Sequence, residues 1–299
     1  MQIHHLSTEQ SNPRSRDLDA KSSLEIVRII NAEDAKVAGA VKRALPQIAK
    51  AIDLVADALN RGGRLIYVGA GTSGRIAALD AAECPPTFNT DPKTVQFVIA
   101  GGTKALAAAV EANEDSRELG QKEIAKRKPG KNDVVVAIAA SGRTPFTIAA
   151  VEYARRHGAK TVAVTCNRNS MLAKAAHVAI VTEVGPEVVT GSSRMKAGTA
   201  QKLVLNMLST GAMARLGKIY GNLMVNVHLK NEKLSDRALT IVERAVGIER
   251  SEAKKLLRDA GDSVPVAIVM GRAKVPKNEA ARALKTAKGN VRKAIAQAR

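Results

Sequence analysis

Aromatic residues are almost absent from this chain: of 299 residues, none is Trp, three are Tyr and three are Phe. The core must therefore be built from aliphatic side chains and Met. The scarcity of aromatic rings also argues against a surface that stacks nucleic-acid bases. No apolar run reaches the roughly 18 residues that span a bilayer. The polar first residues lack a signal-peptide pattern, and we expect no membrane contact.

Cysteine is scarce as well, with only Cys84 and Cys166 in the chain. Two cysteines form no disulfide framework, and no Cys/His group has the spacing of zinc ligands. This usage is typical of a reducing compartment. We expect a cytoplasmic protein without a metal site.

Acidic residues are outnumbered, 28 against 47 basic ones, which gives a formal net charge of +19. Nine basic residues fall within 272–299, where Glu279 is the one acid, and they follow a helical pattern. Net charge bears on solubility and non-specific binding rather than on fold. A solvated basic face is therefore favoured over a specific nucleic-acid surface, which stays the alternative.

The chain does contain an alternation of short apolar runs and helical patterns. Near-continuous apolar runs are typical of strands that are covered on both faces. The pattern predicts an α/β fold, a doubly wound parallel five-stranded sheet flanked by helices, whose ligands bind at the carboxyl ends of the strands. The predicted strands are residues 65–68, 95–100, 134–139, 161–165 and 178–181.

Helical patterns precede and follow this sheet. Ser22 and Glu25 have capping-box spacing ahead of an apolar run, and residues 195–216 have the pattern of one long helix. Pro276 suits a first helical turn, and Gly289 precedes a last helical segment. We predict four parts: a helical segment over 1–60, the α/β domain over 61–220, a connecting helix over 221–247 and a small helical bundle, similar to a ubiquitin-associated domain, over 248–299.

Three polar turns lie where predicted helices begin, after strands one, three and five. Glycine lets a backbone approach an anion, and the free N–H groups of a helix start point at it. The spacing fits neither a Walker loop nor a dinucleotide fingerprint. We expect a phosphate site, against the alternative of ordinary helix capping. The candidate ligands are Gly71, Thr72, Ser73, Ser141, Arg143, Thr144, Ser192, Ser193, Arg194 and Lys196.

Glu83 and one member of an acidic stretch are candidates for proton transfer. Glu83 precedes Cys84 and a Pro-Pro pair that predicts a stiff turn, and its uncharged neighbours suggest a poorly solvated carboxyl suited to a general acid. Glu114 lies in an acidic stretch at helical spacing. That stretch is interpreted as a solvated face or as the source of one base, and periodicity does not choose among Glu111, Glu114, Asp115 and Glu118.

Taken together, GAGTSGR, DAAECPPTF, AASGRTPF and TGSSRMKAGTAQKLVLN resemble the N-acetylmuramic acid 6-phosphate etherases, a bacterial family of sugar-isomerase (SIS) domain proteins. The resemblance runs from about residue 22 to beyond residue 238. It implies an SIS-type fold, a homodimer and no cofactor. It aligns Glu83 with the family's proposed acid and Glu114 with its second catalytic carboxylate. Asn226 departs from the pattern, because an acidic residue is usual there.

The implied reaction converts N-acetylmuramic acid 6-phosphate and water to N-acetylglucosamine 6-phosphate and D-lactate. An open-chain C1 aldehyde acidifies the C2 proton, a carboxylate removes it, lactate leaves C3, and water adds back at C3. Two carboxylates in different surroundings divide such roles. A sugar-phosphate isomerase and a phosphosugar-sensing regulator stay open as alternatives. The presence of both glutamates, and the lack of a basic recognition helix in residues 1–60, favour the enzyme.

Overall fold

The computed structural model describes residues 6–108, 113–227 and 232–298. Its contacts divide the chain into two compact units. The first contains the residues up to Ala82 together with Pro92–Ser209, and the second contains Glu83–Asp91 together with the residues from Thr210 on. The division into four parts made from the sequence stays a prediction.

A parallel five-stranded sheet forms the centre of the first unit, with the strand order β2-β1-β3-β4-β5. The prediction of a parallel five-stranded sheet is confirmed, and each strand end falls within one residue of its predicted position. Every residue of β1 and β3 is buried, which explains why no polar alternation interrupts these runs. The strands are β1 (Leu65–Gly69), β2 (Val95–Ile99), β3 (Val134–Ile138), β4 (Lys160–Thr165) and β5 (Val178–Val181).

Helices surround this sheet as expected. The capping box is present, because the Ser22 side chain accepts from the Glu25 N–H and the Glu25 carboxylate accepts from the Ser22 N–H. In place of the helix expected over residues 103–110, the structure has a 3₁₀ turn, Gly102–Leu106. Residues 109 and 110 of the expected helix lie outside the described ranges. The helices are α1 (Ser23–Asp34), α2 (Val37–Arg43), α3 (Leu45–Asn60), α4 (Gly71–Phe88), α5 (Arg117–Ala125), α6 (Pro145–Arg156), α7 (Met171–Ala175) and α8 (Lys196–Arg215).

The Pro-Pro pair corrects one prediction. Pro85 and Pro86 do not form a turn but lie within α4, which continues to Phe88. Proline has no N–H and forgoes the bond to the carbonyl four residues earlier, but its fixed φ is helical. The pair stands in the last turns of the helix, and Asn89 N–H closes the end by donating to the Pro85 carbonyl at 2.9 Å. Glu83 therefore stands on a helix rather than before a turn.

The second unit contains a bundle of short helices around a core of small aliphatic side chains, among them Ala253, Ile268 and Val291. Its presence confirms the predicted helical bundle. The connecting helix expected over 221–247 does not begin at residue 221, because Leu223 pairs with Tyr220 in an isolated antiparallel bridge. The helices are α9 (Glu232–Val246), α10 (Arg250–Asp259), α11 (Val264–Ala273), α12 (Lys277–Thr286) and α13 (Val291–Gln297).

The departure at Asn226 has a local explanation. Its side-chain amide donates a hydrogen bond to the Lys218 carbonyl at 2.8 Å. A carboxylate accepts hydrogen bonds only, so an acidic side chain would not make this contact. Across the described ranges, no helix combines the length and the apolar character that a bilayer span requires.

Candidate active site

A cavity of about 350 Å³ lies at the carboxyl end of the sheet in the first unit. Residues that follow β1 and β3, together with the start of α4, form much of its wall. Parallel α/β sheets bind ligands at this edge. The cavity is lined by Glu9, Ala70, Gly71, Thr72, Ser73, Arg75, Glu114, Ile138, Ala139, Ala140, Ser141, Thr144 and Ser193.

The start of α4 forms one wall of this cavity. The N–H groups of Gly71, Thr72 and Ser73 belong to the first helical turn and have no partner within the helix. The preceding turn is too tight for a side chain, because a Cβ at Gly69 would stand 2.6 Å from the Gly74 nitrogen. A helix N-terminus with two hydroxyls beside its N–H groups suits an anion, and a phosphate site at this wall stays the prediction.

The second polar turn contributes Ser141 and Thr144. The Ser141 hydroxyl accepts from the Arg143 N–H at 3.2 Å, which holds the turn closed before α6. Thr144 occupies the N-cap position, but its side chain makes no capping hydrogen bond. Ordinary capping therefore does not explain Thr144, whose side chain lines the cavity instead. The side chain of Arg143 is not part of that lining.

Glu114 reaches the cavity from a turn rather than from a helix face. The following helix begins at Arg117, and the Ser116 hydroxyl caps it by accepting from the Leu119 N–H at 3.0 Å. The Glu114 carbonyl accepts from the Phe146 N–H at 3.1 Å, which ties the turn to the start of α6. The interpretation as a solvated helix face is thus wrong for Glu114, while Asp115 and Glu118 are exposed. Glu111 lies outside the described residues.

The third polar turn contributes less than predicted. Ser193 lines the cavity, but Ser192 and Arg194 do not. The prediction that Lys196 binds the phosphate is corrected, because the side chain of Lys196 is only 1% exposed. Its ammonium donates to the Glu33 carboxylate at 2.7 Å and to the Pro186 carbonyl at 2.6 Å. Lys196 is therefore committed to an internal ion pair.

This ion pair perturbs the carboxyl of Glu33. Burial favours its neutral form, but hydrogen bonds from Lys196 and Lys36 and the charge of Lys196 lower the pKa of Glu33 to about 2. Nearby, the Glu187 carboxylate accepts from the N–H groups of Lys196 and Ala197, at 3.1 Å and 2.9 Å. It thereby satisfies the start of α8. Through these contacts with Lys196 and Ala197, Glu33 and Glu187 hold the end of the third polar turn in place.

Two charged cavity residues were missed at the sequence level. Arg75 follows the glycine-rich turn, and its guanidinium donates to the Ala105 and Ala108 carbonyls at 2.9 Å and 2.8 Å. Glu9 comes from the N-terminal segment, which has no periodic pattern. Arg75 could have been found from the sequence, because it is a basic residue directly after the glycine-rich turn. No feature of the sequence around Glu9 indicates a cavity residue.

Glu83 does not line the cavity. It lies twelve residues after Gly71 on α4, which corresponds to about 18 Å of helical rise. Its side chain is exposed, so the poorly solvated carboxyl expected from its neighbours is not present in the single chain. Cys84, the next residue, is buried.

Comparisons with known proteins first define the class. The SIS domain family matches residues 128–211, and the family of glucokinase regulatory protein N-terminal SIS domains matches residues 47–155. A phosphoheptose isomerase from Francisella tularensis superposes with a TM-score of 0.53 at 19% identity, over 65% of this chain and 100% of that one. The chain thus has an SIS-type fold, in agreement with its five-stranded parallel sheet.

Full-length relatives narrow the class to one family. An N-acetylmuramic acid 6-phosphate etherase of Clostridium beijerinckii is 51% identical and covers 99% of this chain and 97% of its own length. That of Symbiobacterium thermophilum is 58% identical, over 90% of this chain and 89% of its own. The chain belongs to the N-acetylmuramic acid 6-phosphate etherase family, which confirms the resemblance found in the sequence.

Proposed function

We propose that the cavity binds N-acetylmuramic acid 6-phosphate and that the enzyme cleaves its lactyl ether, which makes the chain a carbon–oxygen lyase of amino sugar catabolism. The single observation that carries the site assignment is that one cavity combines a helix N-terminus with a carboxylate, Glu114. The N–H groups and hydroxyls at the start of α4 suit a phosphoryl group. Ser141, Thr144 and Ser193 supply further neutral donors.

Glu114 is the base in this proposal. With the sugar in its open-chain form, the C1 aldehyde acidifies the C2–H bond, and the Glu114 carboxylate takes that proton. The electron pair forms a C2–C3 double bond as the C3–O bond breaks, and the departing lactate oxygen receives a proton from a general acid. Water then adds at C3 while C2 is reprotonated, which gives N-acetylglucosamine 6-phosphate and D-lactate. Phosphate binding far from C2 fixes this geometry.

Glu83 is the acid, and a second copy of the chain completes the site. The face of α4 that bears Glu83 also bears Leu79, one helical turn away and 53% exposed. The proposed second copy would cover this apolar side chain together with Glu83. Cover by a partner would also desolvate Glu83, as a general acid requires.

Helix α1 supports the same homodimer. Its Leu24 and Val27 are 56% and 55% exposed, and Glu33 is its one buried residue. A two-fold interface uses the same patch on both copies, and two apolar helix faces would supply such a patch. We also place the enzyme in the cytoplasm, since a chain with only two cysteines, Cys84 and Cys166, is typical of a reducing compartment.

Not every predicted ligand enters this site. Arg143, Ser192 and Arg194 lie outside the cavity lining, and their assignment as substrate ligands stays a prediction. Lys196 is withdrawn as a ligand. The remaining substrate-binding residues are Gly71, Thr72, Ser73, Ser141, Thr144 and Ser193.

One assay tests the proposal: D-lactate release from N-acetylmuramic acid 6-phosphate by the purified full chain. In deuterated water, C2 of the product should gain one deuterium, and in ¹⁸O-water, C3 should gain the label. Conversion to a ketose without lactate would indicate the isomerase instead, and phosphosugar binding without turnover would indicate the regulator. Glu114→Gln should retain affinity for N-acetylglucosamine 6-phosphate while losing about 10²–10⁴-fold in rate.

A further inference from the structure

The N-terminal segment brings a second carboxylate, that of Glu9, into the cavity that holds Glu114. We propose that Glu9 determines specificity for the saccharide: its carboxylate accepts hydrogen bonds from hydroxyl or amide N–H donors of the bound sugar. The inference rests on the proposed function, because it assigns a role within that site. No step of the ether cleavage uses Glu9.

Glu9 is held in place by a dedicated anchor. The buried Asn167 accepts from the backbone N–H and the hydroxyl of Ser7, at 3.0 Å and 2.9 Å. Its amide donates to the Thr8 hydroxyl and to the Ala140 carbonyl, both at 3.2 Å. Ala140 also lines the cavity. Asn167 therefore joins the residues just before Glu9 to the wall of the site.

A second set of contacts fixes the rest of the segment. The buried Ser15 hydroxyl donates to the Val188 carbonyl at 2.7 Å, and the Asn12 amide donates to the Pro186 carbonyl at 3.3 Å. Both contacts join residues more than 170 positions apart in the chain. The segment is thus part of the folded unit, and Glu9 is presented by an anchored backbone.

The chemistry of the cavity decides what Glu9 can bind. Its Oε1 already accepts from the Thr8 hydroxyl at 3.2 Å, and an ionised carboxylate has capacity to accept further hydrogen bonds. It cannot hold a phosphoryl group, because like charges repel. The complementary ligand therefore carries hydrogen-bond donors at a distance from its phosphate. A phosphorylated amino sugar has both features, in its hydroxyls and its acetamido N–H.

Removal of the charge at Glu9 should then lower the affinity for a sugar phosphate but not the affinity for inorganic phosphate. Glu9→Gln loses a charged acceptor, and hydrogen bonds to charged groups contribute about 1.5–3 kcal/mol. Affinity for N-acetylglucosamine 6-phosphate should fall about 10-fold or more. Affinity for inorganic phosphate should stay equal or rise, because a negative charge has left the cavity.

The experiment titrates the full chain with each probe by calorimetry. Glu118→Gln is the matched control, since it removes the same charge from an exposed helical position outside the cavity lining. It should leave both affinities unchanged. Glu9→Asp should recover part of the sugar-phosphate affinity, and Asn167→Ala should weaken it, because the anchor is lost. Circular dichroism confirms that each variant is folded.

Two outcomes would overturn the assignment. If Glu9→Gln weakens both probes equally, Glu9 acts on the fold of the site rather than on the sugar. If it weakens neither, Glu9 does not contact the saccharide. The proposed function fails separately: a wild-type protein that binds the sugar phosphate but releases no lactate would refute the lyase assignment and leave the Glu9 result standing.

Discussion

A Cβ atom on Gly71 would stand 3.0 Å from Oε1 of Glu114. The glycine at the start of the proposed phosphate site is therefore also the residue against which the proposed base rests. Its φ of +51° lies in the left-handed region, which glycine adopts without steric cost. The proposed phosphate site and the proposed base thus share one backbone position.

Substitution of Gly71 should have two effects: strain in the backbone at Gly71 and crowding of the Glu114 carboxylate. Gly71→Ala incurs a left-handed φ, which costs about 1–2 kcal/mol, and also pushes on the Glu114 carboxylate. A displacement of about 1 Å can cost roughly 100-fold in rate. We therefore expect a lower melting temperature together with about 100-fold slower lactate release.

Gly62→Ala is the control for that experiment. Gly62 has a φ of +77°, and a Cβ there would meet no atom within 4 Å. It should lose similar stability but keep its rate of lactate release. Equal activity loss in both alanine variants would show that the contact with Glu114 has no functional role.

The ion pair between Lys196 and Glu33 should be structural rather than catalytic. Lys196→Met leaves a buried carboxylate without its main partner, which costs about 3–5 kcal/mol in comparable buried pairs. Replacing both residues by Met should recover most of this loss in the free energy of unfolding. The double variant should still bind inorganic phosphate, as calorimetry would measure. A folded double variant without phosphate affinity would instead restore Lys196 as a ligand.

The same pair gives a pH dependence. The folded-state pKa of Glu33 is about 2, below its ordinary value of 4.5. Its contribution to stability is therefore fully present above pH 4.5 and is lost as the pH falls towards 2. Denaturant unfolding between pH 2.5 and 7, about two units on either side of 4.5, should show a larger acid loss in the wild type than in the double Met variant. The other carboxylates contribute to the acid loss of both proteins alike.

Asp80 should show the opposite sign. It is buried on α4 and accepts from the Tyr67 hydroxyl, the Asn206 amide and the Ser209 hydroxyl, at 2.8 Å, 2.7 Å and 3.1 Å. Burial raises the pKa of Asp80, although these hydrogen bonds oppose the rise. Its stabilising contribution is fully present below its ordinary pKa of 3.8 and declines as the pH rises through the raised folded value.

Two substitutions at Asp80 test this sign. Asp80→Asn cannot ionise, so the stability of the wild type relative to this variant should increase as the pH falls from 7 to 4. Asp80→Ala removes the acceptor of three donors and should be destabilised at every pH. Urea unfolding of the three proteins at several pH values measures both effects. A pH-independent difference between wild type and Asp80→Asn would contradict the raised pKa.

The sheet was predictable because its physics is local. A strand covered on both faces must be apolar throughout, so β1 and β3 stand out as short runs bounded by turn residues. The glycine-rich turn at the start of α4 was predictable for the same reason, since its glycines and hydroxyls follow one another in the chain. These features depend on neighbours within a few residues.

The remaining parts of the site depend on distant partners. The partner of Lys196, Glu33, lies 163 positions earlier in the chain. The residues around Lys196 therefore showed no sign of the ion pair, and Lys196 was interpreted as a phosphate ligand. Glu9 had no signal, because side-chain contacts to Asn167 rather than periodicity hold its segment. Pro85 and Pro86 show the reverse case. Their local propensity predicts a turn, but α4 continues through both residues to Phe88.

Glu83 and Glu114 should come from different copies of the chain in each active site. Glu83→Gln and Glu114→Gln homodimers should each be nearly inactive. When the two variants are unfolded together and refolded at equal concentration, half of the dimers are mixed. Each mixed dimer then has one site with both glutamates intact, so the mixture should regain about a quarter of the wild-type activity.

If both glutamates belonged to one copy, every site of a mixed dimer would lack one of them, and mixing would restore no activity. The refolded wild type, treated identically, sets the reference rate, and mixing without unfolding measures subunit exchange. Leu79→Glu adds an independent arm, because a charge on the exposed face of α4 should weaken a dimer that buries it. Sedimentation would then detect a monomer with lower lactate release, whereas an unchanged dimer would exclude this face from the interface.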